Sequence, residues 1–267
     1  MSSPLRRGYV DSRFGQIHYR IAAPAQSSRR PLLLFHMSPY SGAIYENFAR
    51  EMGRDRAAIA IDTPGFGASD APPPPPEIAD YAAAMGDVMD ALGFRDVDLM
   101  GYHTGAKIAL EVAIQRPSQV HRIVMVSATV FTPEELAEHK QMYGPEDVTD
   151  DGSHFVKWWK TAQRWRMEGV TNEALAERFA IRMQRPSISW WGHRAAFNYI
   201  TAEALPKMAQ PILVLNPEDD LVAFTPRAKP YLKHRDSRIH DLPGWSHGFL
   251  DLKTEEAAAI VRQFLDA

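Results

Sequence analysis

The 267-residue chain contains no cysteine. Disulfides, thiolate metal centres and a cysteine nucleophile are thereby excluded. The absence fits a reducing compartment, and a cytoplasmic location is expected. Long apolar runs are missing as well. No stretch approaches the roughly 18 to 20 apolar residues needed to span a bilayer. The opening residues, MSSPLRRGYV, are polar and lack the apolar core of a signal peptide. Nor is there an excess of charge of one sign: 30 Lys and Arg stand against 33 Asp and Glu, a net charge of −3. No basic run is interleaved with aromatics, so neither nucleic acid nor a membrane surface is expected as partner. The expected partner is a small-molecule substrate, and homo-oligomer formation is left open.

What is present suits one large α/β domain with a sizeable core, since 45% of residues are hydrophobic and 24% charged. YVDSRFGQIHYRIA (9–22) reads as two short strands around a turn at Phe14-Gly15. LLLF (32–35) is a compact apolar run, the mark of a strand buried on both faces. Residues 41–52 read as a helix with Ile44, Phe48 and Met52 on one stripe. RAAIAID (56–62) is a further buried strand, followed by the turn-rich TPGFGASD. APPPPP (71–76) can join neither helix nor ladder and reads as a stiff connector. Then come a helix over 77–92 closed by Gly93, a strand in DVDLM, a helix over about 104–115 ended by Pro117, and a strand in RIVMVSA. Alternating strands and helices predict a mostly parallel sheet with helices on both faces.

The alternation stops near Phe131. Residues 131–205 have helical spacing, no clear buried strand, and five of the six tryptophans: Trp158, Trp159, Trp165, Trp190 and Trp191. PILVLN (211–216) then resumes the sheet, RDSRIHDLPG gives a last strand and 255–265 a last helix. The expected organisation is a core of residues 1–130 and 206–267 with a helical cap over 131–205. Trp158, Trp159, Trp190 and Trp191 are candidates for the wall of an apolar or aromatic substrate pocket. Packing within the cap is the competing role, because neighbouring residues on a helix point in different directions.

LMGYHTGAKIAL (99–110) has the outline of the G-x-S-x-G nucleophile elbow, with His103 where serine is expected. HMSPYSG (36–42), DTPGFGASD (62–70), PILVLNPEDDLV (211–222) and LPGWSHGFL (242–250) accompany it in order. With these five segments the chain resembles the α/β-hydrolase superfamily over nearly its full length. The resemblance implies an α/β-hydrolase fold with a cap. It also implies an oxyanion hole from the backbone N–H groups of Ser38 and Thr104. It implies a general base at His247, oriented by Asp220, with Asp219 as the fallback. Two positions depart from the pattern. The elbow has no hydroxyl nucleophile, and Met37 stands where glycine usually follows the histidine.

His103 can serve in four ways. Neutral imidazole, with an ordinary pKa of about 6.5, is a competent nucleophile. It can instead be a second base, hold a substrate oxygen, or fill a vacated seat. The elbow presents only its middle residue, which speaks against Thr104 or Tyr102 as nucleophile; Tyr102 is placed in the pocket wall. Two imidazoles and an aspartate also suggest a metal site. In the implied triad, however, Asp220 lies behind His247 and away from His103, so neither a metal nor another cofactor is expected. The reading is a hydrolase acting on an ester, lactone or C–C bond of a small apolar or aromatic carbonyl compound through His103, Asp220 and His247. A cofactor-free lyase, decarboxylase or dioxygenase built on a His247–Asp220 dyad is the alternative. A non-catalytic binding protein with a relic site is the third.

Overall fold

The computed structural model describes residues 4–73, 75–145 and 147–267. Pro74 of the proline run, Glu146 of the expected cap and the first three residues of the polar N-terminal segment lie outside the described residues. Among the described residues, eight strands form one sheet in the order β1-β2-β4-β3-β5-β6-β7-β8. β1 (Arg6–Ser12) and β2 (Gly15–Ala22) form an antiparallel hairpin, and β2 also runs antiparallel to β4 (Ala58–Ile61). From β4 onward every pairing is parallel, through β3 (Leu32–Phe35), β5 (Val97–Tyr102), β6 (Val120–Val126), β7 (Ile212–Pro217) and β8 (Arg238–Leu242).

The burial of each strand explains its place. Every residue of β3, β4, β5 and β7 is buried, as expected of strands covered by helices on both faces, whereas β1 and β8 at the sheet edges are partly exposed. Helices α1 (Glu46–Met52) and α10 (Thr254–Leu265) pack together with the core that covers one face. On the other face lie α2 (Ile78–Ala91) and α3 (Thr104–Gln115). The stretch 41–52 is not one helix: a 3-10 turn at Gly42–Tyr45 leads into α1, with Ser41 capping the turn through its side chain.

Between β6 and β7 come α4 (Pro133–Met142), α5 (Ser153–Arg164), α6 (Asn172–Arg182), α7 (Trp191–Asn198) and the short α8 (Thr201–Ala204). α4 begins with a capping box between Thr132 and Glu135 and has Pro133 in its first turn, where a missing N–H is harmless. After β8, the one-turn α9 (Phe249–Leu252) leads to α10. No helix among the described residues is long and apolar enough to cross a membrane.

β3 pairs with β4 on one side and β5 on the other, so the chain changes direction across the sheet at this point. Open α/β sheets bind ligands at such a crevice, beyond the carboxyl ends of the strands. Ser38, His103, Ser127, Asp219 and Asp220 all follow the carboxyl ends of their strands, and His247 follows β8.

Candidate active site

The elbow is built by close approach. A Cβ on Gly101 would lie 2.0 Å from the Gly105 carbonyl oxygen, and one on Gly105 would lie 2.0 Å from that of Phe35. Only glycine at both positions lets β5 turn into α3 this tightly against β3. His103, between them, takes φ 49° and ψ −106°, a strained conformation for a residue with a side chain. Such strain costs on the order of 1–3 kcal/mol and is held in place by its surroundings. Here the His103 N–H donates to Val126 O at 3.0 Å, and its carbonyl accepts from Ala106 N at 3.0 Å.

His103 Nε2 lies 2.8 Å from Asp219 Oδ2. The Asp219 side chain is 0% exposed and that of His103 14% exposed. The other Asp219 oxygen accepts from the Leu221 N–H at 2.9 Å. An ionised carboxylate only accepts, so the Nε2 of His103 carries the proton and a neutral ring has its lone pair on Nδ1. Among the described residues Nδ1 has no hydrogen-bond partner, and His103 lines a cavity of about 50 Å³.

His247 is held differently. Its Nε2 lies 3.0 Å from Asp220 Oδ1, and its Nδ1 2.9 Å from the hydroxyl of Tyr102. The Nε2–H donates to the carboxylate, and Nδ1 accepts from the tyrosine. Both ring nitrogens are therefore engaged. Burial drives the Tyr102 hydroxyl well above its ordinary pKa, with the negative charges of Asp219 and Asp220 adding to it, so it stays protonated. Burial alone would lower His247, but its hydrogen bond to Asp220 raises it. Burial alone would raise Asp220, but the same bond and the nearby His103 hold its carboxyl far below the usual range. The two imidazoles meet edge to face at 5.4 Å between ring centres, without a direct hydrogen bond.

The His247 loop is fixed from two directions. His247 N–H donates to Trp165 O, and His247 O accepts from Met167 N–H at 2.8 Å, which binds the loop to the segment after α5. Glu218 N–H donates to Trp245 O at 2.7 Å, and Gly244 N–H to Glu218 Oε2 at 2.9 Å, which ties the loop to the acid turn. His36, at the end of β3, accepts from Thr63 N–H at 3.0 Å and donates to Met37 O at 2.9 Å.

Three expectations are corrected by this geometry. Asp220 pairs with His247 as expected, at 3.0 Å, but it does not point away from His103. It lines the cavity beside His103, and Asp219 is the enclosed acid that orients the elbow imidazole. Asp220 is therefore not separated from His103: His103, Asp219 and Asp220 bring ligand-type atoms within 4.8 Å of one another. Tyr102 is buried beneath the site against His247 and does not face the cavity. The four tryptophans do not line it either. Trp158 packs on His154 and Arg182, Trp159 on Phe179, and Trp191 on the main core, while Trp190 donates to Ser187 O. Their large apolar surfaces are used among the helices between β6 and β7 and against the main core.

The cavity wall comes from residues that periodicity could have indicated. His139 and Tyr143 stand four apart at the end of α4, and His193 and Phe197 four apart on α7, so each pair shares a helix face. Tyr143 stacks on His193 at 4.6 Å, and Phe131 packs on His139 at 4.6 Å. Ser38, Thr104, Lys107, Ser127 and Thr129 complete the polar lining. The backbone N–H groups of Ser38 and Thr104 have no hydrogen-bond partner among the described residues, as an oxyanion hole requires.

Comparison with known proteins agrees with the fold. Residues 30–161 match the family model described as alpha/beta hydrolase fold. An enol-lactonase from Burkholderia xenovorans LB400 superimposes with a TM-score of 0.80 at 18% identity, over 97% of this chain and 100% of that one. A thermophilic esterase from Thermogutta terrifontis does so with a TM-score of 0.80 at 18% identity, over 98% of each chain. A poly(3-hydroxyalkanoate) depolymerase from Ectopseudomonas oleovorans is 23% identical over 246 residues, 91% of this chain and 86% of that protein. Haloalkane dehalogenase 2 from Mycobacterium tuberculosis is 29% identical over 136 residues, 50% of this chain and 46% of that protein. The chain has the α/β-hydrolase fold. The relatives and structures matched here are named as hydrolytic enzymes.

Proposed function

We propose that this chain is a hydrolase of small carbonyl compounds, esters or lactones, in which His103 is the reacting base and Asp219 orients it. One observation carries the reading: His103 lines the cavity with its Nε2 fixed by a fully enclosed carboxylate and its Nδ1 without a hydrogen-bond partner among the described residues. In the reaction, Nδ1 takes a proton from water as the water oxygen bonds to the carbonyl carbon. The carbonyl electron pair moves to its oxygen, which the Ser38 and Thr104 N–H groups receive. When that pair returns, the leaving oxygen departs with the proton from Nδ1. Asp219 stabilises the transient imidazolium. In this reading His247 and Asp220 form a second dyad that shapes the site and does not transfer the proton.

A second reading has a specific observation in its favour. Nδ1 is two bonds from Cβ, the same reach as a carboxylate oxygen in the elbow seat. His103 could then attack the carbonyl carbon itself and form an acyl-imidazole. Hydrolysis of 4-nitrophenyl acetate followed by rapid acid quench and mass spectrometry separates the two. The general-base reading expects turnover with no acetyl group on His103, and an acetylated His103 peptide formed within the first turnover would overturn it in favour of direct attack. Absence of hydrolysis by the wild-type protein, across acetyl and propionyl esters, would sink both.

A further inference from the structure

Lys107 is a buried lysine without a counter-ion. It lies one turn beyond His103 on α3, about 6 Å along the helix. Its Nζ donates to Ala196 O at 2.7 Å and Tyr199 O at 3.3 Å, and it faces the Phe131 ring at 5.9 Å. Among the described residues no carboxylate pairs with it, and burial alone lowers its ammonium to about 7. In the lining of the same cavity, Ser127 has the other positive φ outside glycine among the described residues, 66°. The Ser127 side chain is buried, and its Oγ has no hydrogen-bond partner. Lys107, Ser127 and Thr129 all line the same cavity as His103.

A buried ammonium without a counter-ion and a buried hydroxyl without a hydrogen-bond partner are each costly. Both costs fall if a ligand brings an anion. We propose that the Lys107–Ser127–Thr129 end of the cavity receives a carboxylate, so that the substrate is a short acid bearing the reacting carbonyl a few bonds away. The distance of one helical turn between the two ends suits a chain of two to four carbons. Lys107 would supply charge and Ser127 an O–H donor, and Thr129 would close the side. The remaining carboxylate at the cavity, Asp220, accepts a hydrogen bond from His247. This substrate class rests on the reading of the cavity as a hydrolytic site, but the anion subsite does not.

The test uses propionate and its neutral isostere propionamide, titrated into the full chain by calorimetry at pH 7. Propionate is expected to bind at least 10-fold more tightly than propionamide. Lys107→Met is expected to abolish that preference and Ser127→Ala to cut it at least threefold, while His103→Gln leaves it in place. Equal affinity for the two probes, no binding of propionate, or an unchanged preference in Ser127→Ala overturns the subsite. Ser127 makes no side-chain hydrogen bond, so its variant decides the matter even if Lys107→Met fails to fold. Hydrolysis of 4-nitrophenyl acetate, run in parallel, tests the catalytic reading separately: propionate preference without hydrolysis leaves the subsite standing and removes the hydrolase.

Discussion

His103 donates from Nε2 to Asp219 across 2.8 Å, and the carboxylate that accepts is completely enclosed. This bond sets the tautomer of the elbow imidazole and leaves the other ring nitrogen without a hydrogen-bond partner among the described residues. The neighbouring imidazole, His247, is 22% exposed and has both nitrogens occupied. Two His–Asp dyads therefore stand side by side, and only one of them has an open nitrogen.

Asp219→Asn keeps the volume of the side chain and removes its charge. The imidazolium formed in the reaction then loses its stabilising partner, and the amide N–H₂ can invert the tautomer. A fall in kcat of about 100- to 10,000-fold is expected, with KM changed little. Steady-state kinetics on 4-nitrophenyl acetate measure it; an unchanged kcat would show that Asp219 has no part in orienting the base.

Tyr102→Phe should separate structure from chemistry. It removes the hydroxyl that His247 Nδ1 accepts and leaves a part-buried acceptor unpaired, at a cost of roughly 1–3 kcal/mol. The urea midpoint should fall while kcat stays within about threefold. A loss of kcat as deep as that of a His103 variant would mean that His247 moves the proton.

Gly192 lies against Ser38: a Cβ there would stand 1.8 Å from Ser38 Oγ and 2.7 Å from its Cβ. Gly192→Ala must therefore displace the loop that offers the Ser38 N–H. A displacement near 1 Å can cost on the order of 100-fold in rate. Adding Ser38→Gly removes both contacts and should restore most of the activity. Failure of the double variant to recover would place the damage elsewhere on α7.

His193 and His247 should give opposite pH dependence of stability. Burial, helped by Arg182, lowers His193 to about 3, against about 6.5 in the unfolded chain. The unfolded state takes up that proton first, so His193 destabilises the fold increasingly as pH falls from 6.5 towards 3. His193→Phe keeps the stack on Tyr143 and should be less acid-sensitive than the parent. His247 is raised, so its contribution is full below its unfolded value and is lost as pH rises through the folded one. His247→Gln should cost more stability at pH 5 than at pH 8. Urea midpoints across pH 4 to 8 measure both, and parallel curves for parent and variants would contradict them.

The parts of the fold legible in the sequence are those whose physics is local. The buried strands show as apolar runs, and the elbow shows because the backbone contacts at Gly101 and Gly105 admit no side chain. The pairing of Asp220 with His247 could be read from the order of the segments, and the structure places the two 3.0 Å apart. The contact of Asp219 with His103 could not: in a turn, one residue's step reverses the direction of a side chain, and only the packed structure shows which carboxylate is enclosed. The tryptophans stand out by size, yet the cavity wall contributed by α4 and α7 is made by the four-residue spacing of His139 with Tyr143 and His193 with Phe197. Lys107 looked like any helical lysine, because its burial depends on α7, whose residues lie almost ninety positions away.

The central claim is that His103, and not His247, is the reacting imidazole. The direct measurement is kcat/KM for 4-nitrophenyl acetate in His103→Gln and His247→Gln, each checked for folding by its urea midpoint. A loss of about 100- to 10,000-fold is predicted for His103→Gln and less than about 10-fold for His247→Gln. The reverse order, with His247→Gln inactive and His103→Gln near the parent, would contradict the account.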